Sequence, residues 1–108
     1  MLAEQYFDLV RLTCLRDGQG QVLGFCGTAE DRLEMLFVTP EQHGHGFGKA
    51  LLRHAIEHDG IRLVDVNEQN REAFGFYVSQ GFRQIGRSAL DGANRPFPLR
   101  HLRLSEHT

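Results

Sequence analysis

Hydrophobic and polar positions change their period along this chain, and the changes outline its elements. Residues 7–15 (Phe7, Leu9, Val10, Leu12, Thr13, Cys14 and Leu15 among them) are rich in strand formers with partial alternation, which predicts a strand. Asp17-Gly18-Gln19-Gly20 is a turn signal, because glycine accepts positive φ where other residues do not. Residues 22–27 read as the return strand of a hairpin. A third strand over residues 33–38 ends at Thr39-Pro40, where proline lacks the amide needed to continue a ladder. The period then lengthens: Phe47, Leu51 and Ala55 recur at helical spacing, with Ala50, Leu52 and Ile56 widening the stripe, and the amphipathic helix stops near His58-Asp59-Gly60. Residues 62–66 form a short strand. A second helix starts at about Asn70, a good N-cap residue, and carries Ala73, Phe76 and Tyr77 on one face until Gly81 stops it. Residues 82–88 and 99–104 read as two closing strands joined by a Gly- and Pro-containing loop over residues 91–98. Three strands, helix, strand, helix and two strands predict a mixed α/β sheet.

Composition narrows the class. The 108 residues support a single domain over residues 1–108, with 41% apolar and 24% charged residues and a formal net charge of −2. Interspersed charges near neutrality argue against a nucleic-acid partner, although a local basic pocket for phosphates stays compatible. No uncharged run is long enough to span a bilayer and no leader opens the chain, so no membrane partner is expected. Cys14 and Cys26 sit in apolar runs and read as reduced thiols, which with the missing leader predicts a cytoplasmic protein.

The most informative stretch is His43-Gly44-His45-Gly46-Phe47-Gly48-Lys49. Glycines at alternate positions between a strand and a helix let the backbone approach a bulky group and turn several N–H groups one way. The first turn of the helix adds unpaired amides and a partial positive dipole. Together they suit a pyrophosphate, while a plain flexible turn that merely starts a helix is the competing reading. A Walker loop is disfavoured, since Lys49 is followed by Ala50 and the glycine spacing is wrong; a GxGxxG dinucleotide fingerprint fits no better.

The strand, proline, glycine loop and helix from Met35 to Leu52 resemble the acetyl-CoA-binding motif of the GNAT superfamily, written Q/R-x-x-G-x-G/A. Here it falls on His43, Gly46 and Gly48, so the first position departs from the pattern, with Gln42 one residue earlier. A second segment is similar to the later GNAT signature N-x-x-A-x-x-F-Y-x-x-x-G-F, on Asn70, Ala73, Phe76, Tyr77, Gly81 and Phe82. The resemblance covers roughly residues 22–104 and points to a small bacterial member. It implies an α/β fold, a mixed and mostly antiparallel sheet with helices on both faces, shortened at the N-terminus: family members begin with a strand and two helices that help wall the acceptor pocket, and this chain reads as starting near the family's second strand. A homodimer would be one way of covering the open side.

The resemblance further implies an acetyl-CoA-dependent N-acetyltransferase that moves an acetyl group directly to a primary amine. Tyr77 would be the general acid beside the coenzyme sulfur, since a phenol with an ordinary pKa of about 10 protonates a thiolate yet stays neutral at working pH. Packing beside Phe76 is the competing role for that ring. Glu34, on the strand before the loop, is the general-base candidate, against a solvent-facing glutamate with no role. Backbone amides of Leu36, Phe37 and Val38 would pair with the pantetheine arm as an added strand does. His43, Gly44, His45, Gly46, Phe47, Gly48 and Lys49 would hold the pyrophosphate, and Asn70, Ala73, Phe76 and Tyr77 would line the rest of the coenzyme site. Asn70 also reads as a simple N-cap. His43 with His45, or His54 with His58, supplies two metal ligands at most, so no metal is expected. His101 is a candidate base or acceptor contact. The alternatives are an acetyl-CoA sensor without turnover and an oligomeric interaction protein. The acceptor amine itself is not legible.

Overall fold

The computed structural model describes residues 2–7 and 10–105. The chain divides into two compact units, residues 1–61 and 62–108.

The first unit opens with four strands, β1 (Leu2–Phe7), β2 (Val10–Arg16), β3 (Val22–Ala29) and β4 (Arg32–Val38). They pair antiparallel in sequence order, as hairpin connections dictate. The first strand expected from the sequence is thus divided: Phe7 closes β1, β2 begins at Val10, and residues 8 and 9 lie outside the described residues. The four-strand meander replaces the expected three because apolar periodicity alone does not register a reversal without glycine or proline. At the β2–β3 turn the Asp17 Oδ1 accepts from the Gln19 and Gln21 amides at 2.8 and 3.0 Å. The β3–β4 turn is a two-residue one in which Glu30 takes φ 54°, the left-handed region such turns demand.

After a single 3-10 turn at Pro40–Gln42 comes α1 (Phe47–His58), which packs its apolar stripe on β3, β4 and β2. Leu51, Leu52 and Ala55 are fully buried, as are Cys26 and Ile61, with Leu33 nearly so. Asp59 caps the C-terminus of α1, and its buried carboxylate accepts from the Thr28 hydroxyl at 3.1 Å and pairs with the Arg11 guanidinium. A carboxylate at a helix C-terminus opposes the macrodipole, so the arginine partner is what makes the position tolerable. The contact ties the end of α1 to both β2 and β3.

The second unit holds β5 (Leu63–Asn67), α2 (Arg71–Ser79), β6 (Phe82–Ser88) and β7 (Leu99–Leu104), and β7 lies antiparallel between β5 and β6. The last two strands have the bounds the sequence predicts. Val64, Val66, Phe82 and Leu102 are buried, and the Tyr77 ring of α2 meets Phe82 edge-on at 5.7 Å. Strand alternation sends Asp65 and His101, which are directly opposite in register, to the other face. The loop between β6 and β7 folds around Asp91, whose Oδ1 accepts from the Ala93 and Arg95 amides at 2.9 Å each. Those bonds, first the one from the Arg95 amide, hold the Asp91 carboxyl below its ordinary pKa.

Candidate functional site

The glycine loop is anchored at its entry. The Thr39 amide donates to the Leu23 carbonyl at 3.0 Å, and the His43 Nε2–H donates back to the Val38 carbonyl at 2.9 Å. His43 therefore braces the end of β4 with its ring, a role that the motif's first position did not suggest. Gly44 and Gly46 then take φ of 87° and 78°, conformations that L side chains rarely adopt. Gly46 is the N-cap of α1 and has no side chain with which to cap the first amides of the helix. The His45 and Phe47 rings stack with centroids 5.9 Å apart, and Lys49 is exposed. Backbone donors, a helix dipole and nearby cationic or aromatic side chains converge on one short stretch, and that combination suits an anion with several oxygens.

Glu34 lies where the β3–β4 register shifts. Gly27 pairs with Met35 and Thr28 with Leu33, so Glu34 is the extra residue of a β-bulge and is exposed. Bulges re-aim side chains and recur beside reactive sites. Leu36, Phe37 and Val38 follow on β4, paired with Cys26, Phe25 and Gly24. Met35 and Phe37 are exposed apolar side chains on this strand, and Phe37 is supported by Phe25 at 5.5 Å. The bulge and this apolar pair are features that sequence reading missed; two large apolar residues two apart on a strand otherwise read as core.

The second motif lies in the second unit. Asn70 is the N-cap of α2 and its Oδ1 accepts from the Ala73 amide at 3.0 Å, so the N-cap role is real. Ala73 and Phe76 are half-buried, and Tyr77 is 8% exposed, with its ring edge-on to Phe76 at 5.2 Å as well as to Phe82. The packing role of the Tyr77 ring is thus present. Glu68 and Arg87, unremarked in the sequence, form a two-point ion pair at 2.6 and 3.1 Å, and the Arg87 hydrogen bond lowers the Glu68 pKa.

The remaining histidines divide. His54 and His58 stack at 4.5 Å on α1, and among the described residues no group of three or more His, Cys, Asp or Glu is gathered as metal ligands would be. His101 instead bonds Asp65 through Nδ1 at 2.7 Å and Ser88 through Nε2 at 2.6 Å. Among the described residues no helix is long and apolar enough to cross a membrane.

Comparison with known proteins bears on the same segments. Residues 10–84 match the family model described as an acetyltransferase (GNAT) domain. The chain is 38% identical over 84 residues to the peptidyl-lysine N-acetyltransferase YjaB of Salmonella typhimurium, covering 78% of this chain and 58% of that protein. Against YjaB of Escherichia coli it is 38% identical over 82 residues, covering 76% and 56%. The chain thus spans rather more than half the length of these curated relatives. The solution structure of apo-form YjaB from Escherichia coli superposes with a TM-score of 0.81 at 33% identity, over 89% of this chain and 65% of that one. With the family model spanning both the glycine loop and the Asn70–Tyr77 segment, the chain belongs to the GNAT acetyltransferase family.

Proposed function

We propose that this protein is an acetyl-CoA-dependent N-acetyltransferase that transfers the acetyl group directly to a primary amine. The lysine side chain of a protein is the acceptor class suggested by the name of the YjaB relatives. The observation that carries the reading is the open N-terminus of α1, introduced by two left-handed glycines, inside the segment matched by the family model.

The bound coenzyme supplies an acetyl thioester. The loop amides from Gly44 to Lys49 hold its pyrophosphate, and the backbone of Leu36, Phe37 and Val38 pairs with its pantetheine arm. Glu34, turned outward at the bulge, takes a proton from the incoming ammonium so that the amine lone pair is available for the carbonyl carbon. Tyr77 gives its phenolic proton to the sulfur as the carbon–sulfur bond breaks, and the second proton, shed by the nitrogen as it becomes an amide, restores the phenol. Asn70 has used Oδ1 in capping, which leaves its amide hydrogens for a coenzyme oxygen.

Calorimetric titration with acetyl-CoA, run beside free CoA and ATP, tests the binding half of this reading. CoA-selective binding is the expected result. Folded protein that ignores acetyl-CoA at near-millimolar concentration would sink it and favour the interaction-protein alternative. Selective binding with no transfer to any lysine peptide or small amine would favour the sensor.

A further inference from the structure

The side chains of Ser88, His101 and Asp65 form a continuous hydrogen-bonded chain on the face of the second unit opposite its buried apolar residues. Three neighbouring strands build it. Asp65 on β5 is directly opposite His101 on β7, and Ser88 ends β6 opposite Leu99, two residues from His101 on the same strand face. The order of atoms is specific: Asp65 Oδ1 to His101 Nδ1 at 2.7 Å, then His101 Nε2 to Ser88 Oγ at 2.6 Å. A carboxylate on Nδ1 fixes the tautomer whose bare Nε2 accepts the serine proton, and this is the arrangement that turns a hydroxyl into a nucleophile.

The surroundings leave the chain accessible. The His101 and Asp65 side chains are 31% and 32% exposed. Gly86 stands opposite His101 and places no side chain on the ring, where a Cβ would sit 3.7 Å from the imidazole. The register shift between Gln84 and Gly86 sets the phase of β6 that brings Ser88 to this face. None of the three residues has a part in the transfer assigned to Tyr77 and Glu34.

We propose that Ser88 is a second reactive centre, a nucleophile toward activated carboxylic esters and thioesters, with His101 as its general base and Asp65 as the positioning residue. Ser88 Oγ forms a bond to the acyl carbon while its proton passes to His101 Nε2. The ester or thioester bond then breaks, and the departing alkoxide or thiolate takes that proton from His101. Water, deprotonated by His101, releases the carboxylic acid from the acyl-serine and restores the hydroxyl. Overall one ester and one water give one acid and one alcohol or thiol, with no oxidant or further reactant.

The test is covalent labelling of the full chain with a fluorophosphonate, with the adduct located by peptide mass spectrometry, beside turnover of p-nitrophenyl acetate. The expected adduct is on Ser88. It disappears in Ser88→Ala, persists in the control Ser79→Ala, and forms at least about 100-fold more slowly in His101→Gln, which keeps the serine but loses the base. Asp65→Asn is expected to lower kcat for p-nitrophenyl acetate about tenfold or more when rates are counted per active site titrated to completion with the fluorophosphonate, a normalisation that removes any loss of folded protein. An adduct at another residue, no adduct on the folded chain, or equal labelling rates in wild type and His101→Gln would each overturn the proposal. The His101→Gln comparison and the adduct map decide the matter even where Ser88→Ala does not fold.

Discussion

The two helices begin in opposite ways. At the start of α1, Gly46 sits in the left-handed region with nothing to offer the first amides, whereas at the start of α2 the Asn70 side chain satisfies the Ala73 amide. A capped end is self-sufficient and contributes to folding; an end left open keeps donors and dipole for something else. The same division runs through the proposed chemistry, with α1 binding the donor and α2, through Tyr77, reacting with it.

Substitutions that strike one helix and spare the other break or sharpen this contrast. The largest expected effect belongs to Tyr77→Phe, which keeps the ring packed against Phe76 and Phe82 and removes one proton donor. Turnover should fall about 100-fold or more while acetyl-CoA affinity by calorimetry stays put. A parallel loss of affinity would mean that Tyr77 binds rather than reacts. Next comes Gly46→Val, which asks a β-branched residue to adopt φ near 78° with no steric neighbour to blame. Strain of about 1–3 kcal/mol is expected to weaken acetyl-CoA binding about tenfold, with ATP as the unselective control. Unchanged affinity would remove the α1 terminus from the site.

Asn70→Ala removes the cap of α2. Chemical denaturation should show a loss of about 1 kcal/mol, and a fall in coenzyme affinity beyond that of Gly46→Val would assign Asn70 to the ligand first and the helix second. The smallest effect concerns Glu68 and Arg87. The Glu68 pKa is lowered in the folded chain by its hydrogen bond from Arg87, so its contribution is present above the ordinary carboxylate range and is lost as pH falls through the lower folded value. Because the pair is exposed, Glu68→Gln should change stability little at neutral pH, and the change should shrink further in high salt. A large effect at neutral pH that survives salt would contradict this.

Much of the fold was legible because it is local. The stripe of Leu51, Leu52 and Ala55 announced α1, Asn70 and Gly81 bracketed α2, and β6 and β7 fell where alternation put them. Glu34 was visible as a carboxylate on a strand, but its place at a bulge was not, since a bulge is a mismatch between two strands rather than a property of one. The division at residues 7–10 was missed for a related reason: nothing in that stretch carries a glycine or proline to punctuate it. His43 looked like a weakened phosphate contact and turns its ring to the Val38 carbonyl instead.

By itself the sequence determined the helices, the glycine loop with its open helix start, and the two motifs that mark the family. All of these depend on residues within about a dozen positions of one another, where periodicity and backbone preference act directly. Only tertiary structure decided that Asp59 would be held by Arg11 and Thr28, and that Asp65, Ser88 and His101 would line up across three strands. Those partners lie far apart along the chain. For Asp65, Ser88 and His101, strand register, set by pairing and by a one-residue shift in β6, is what brings them within hydrogen-bond reach.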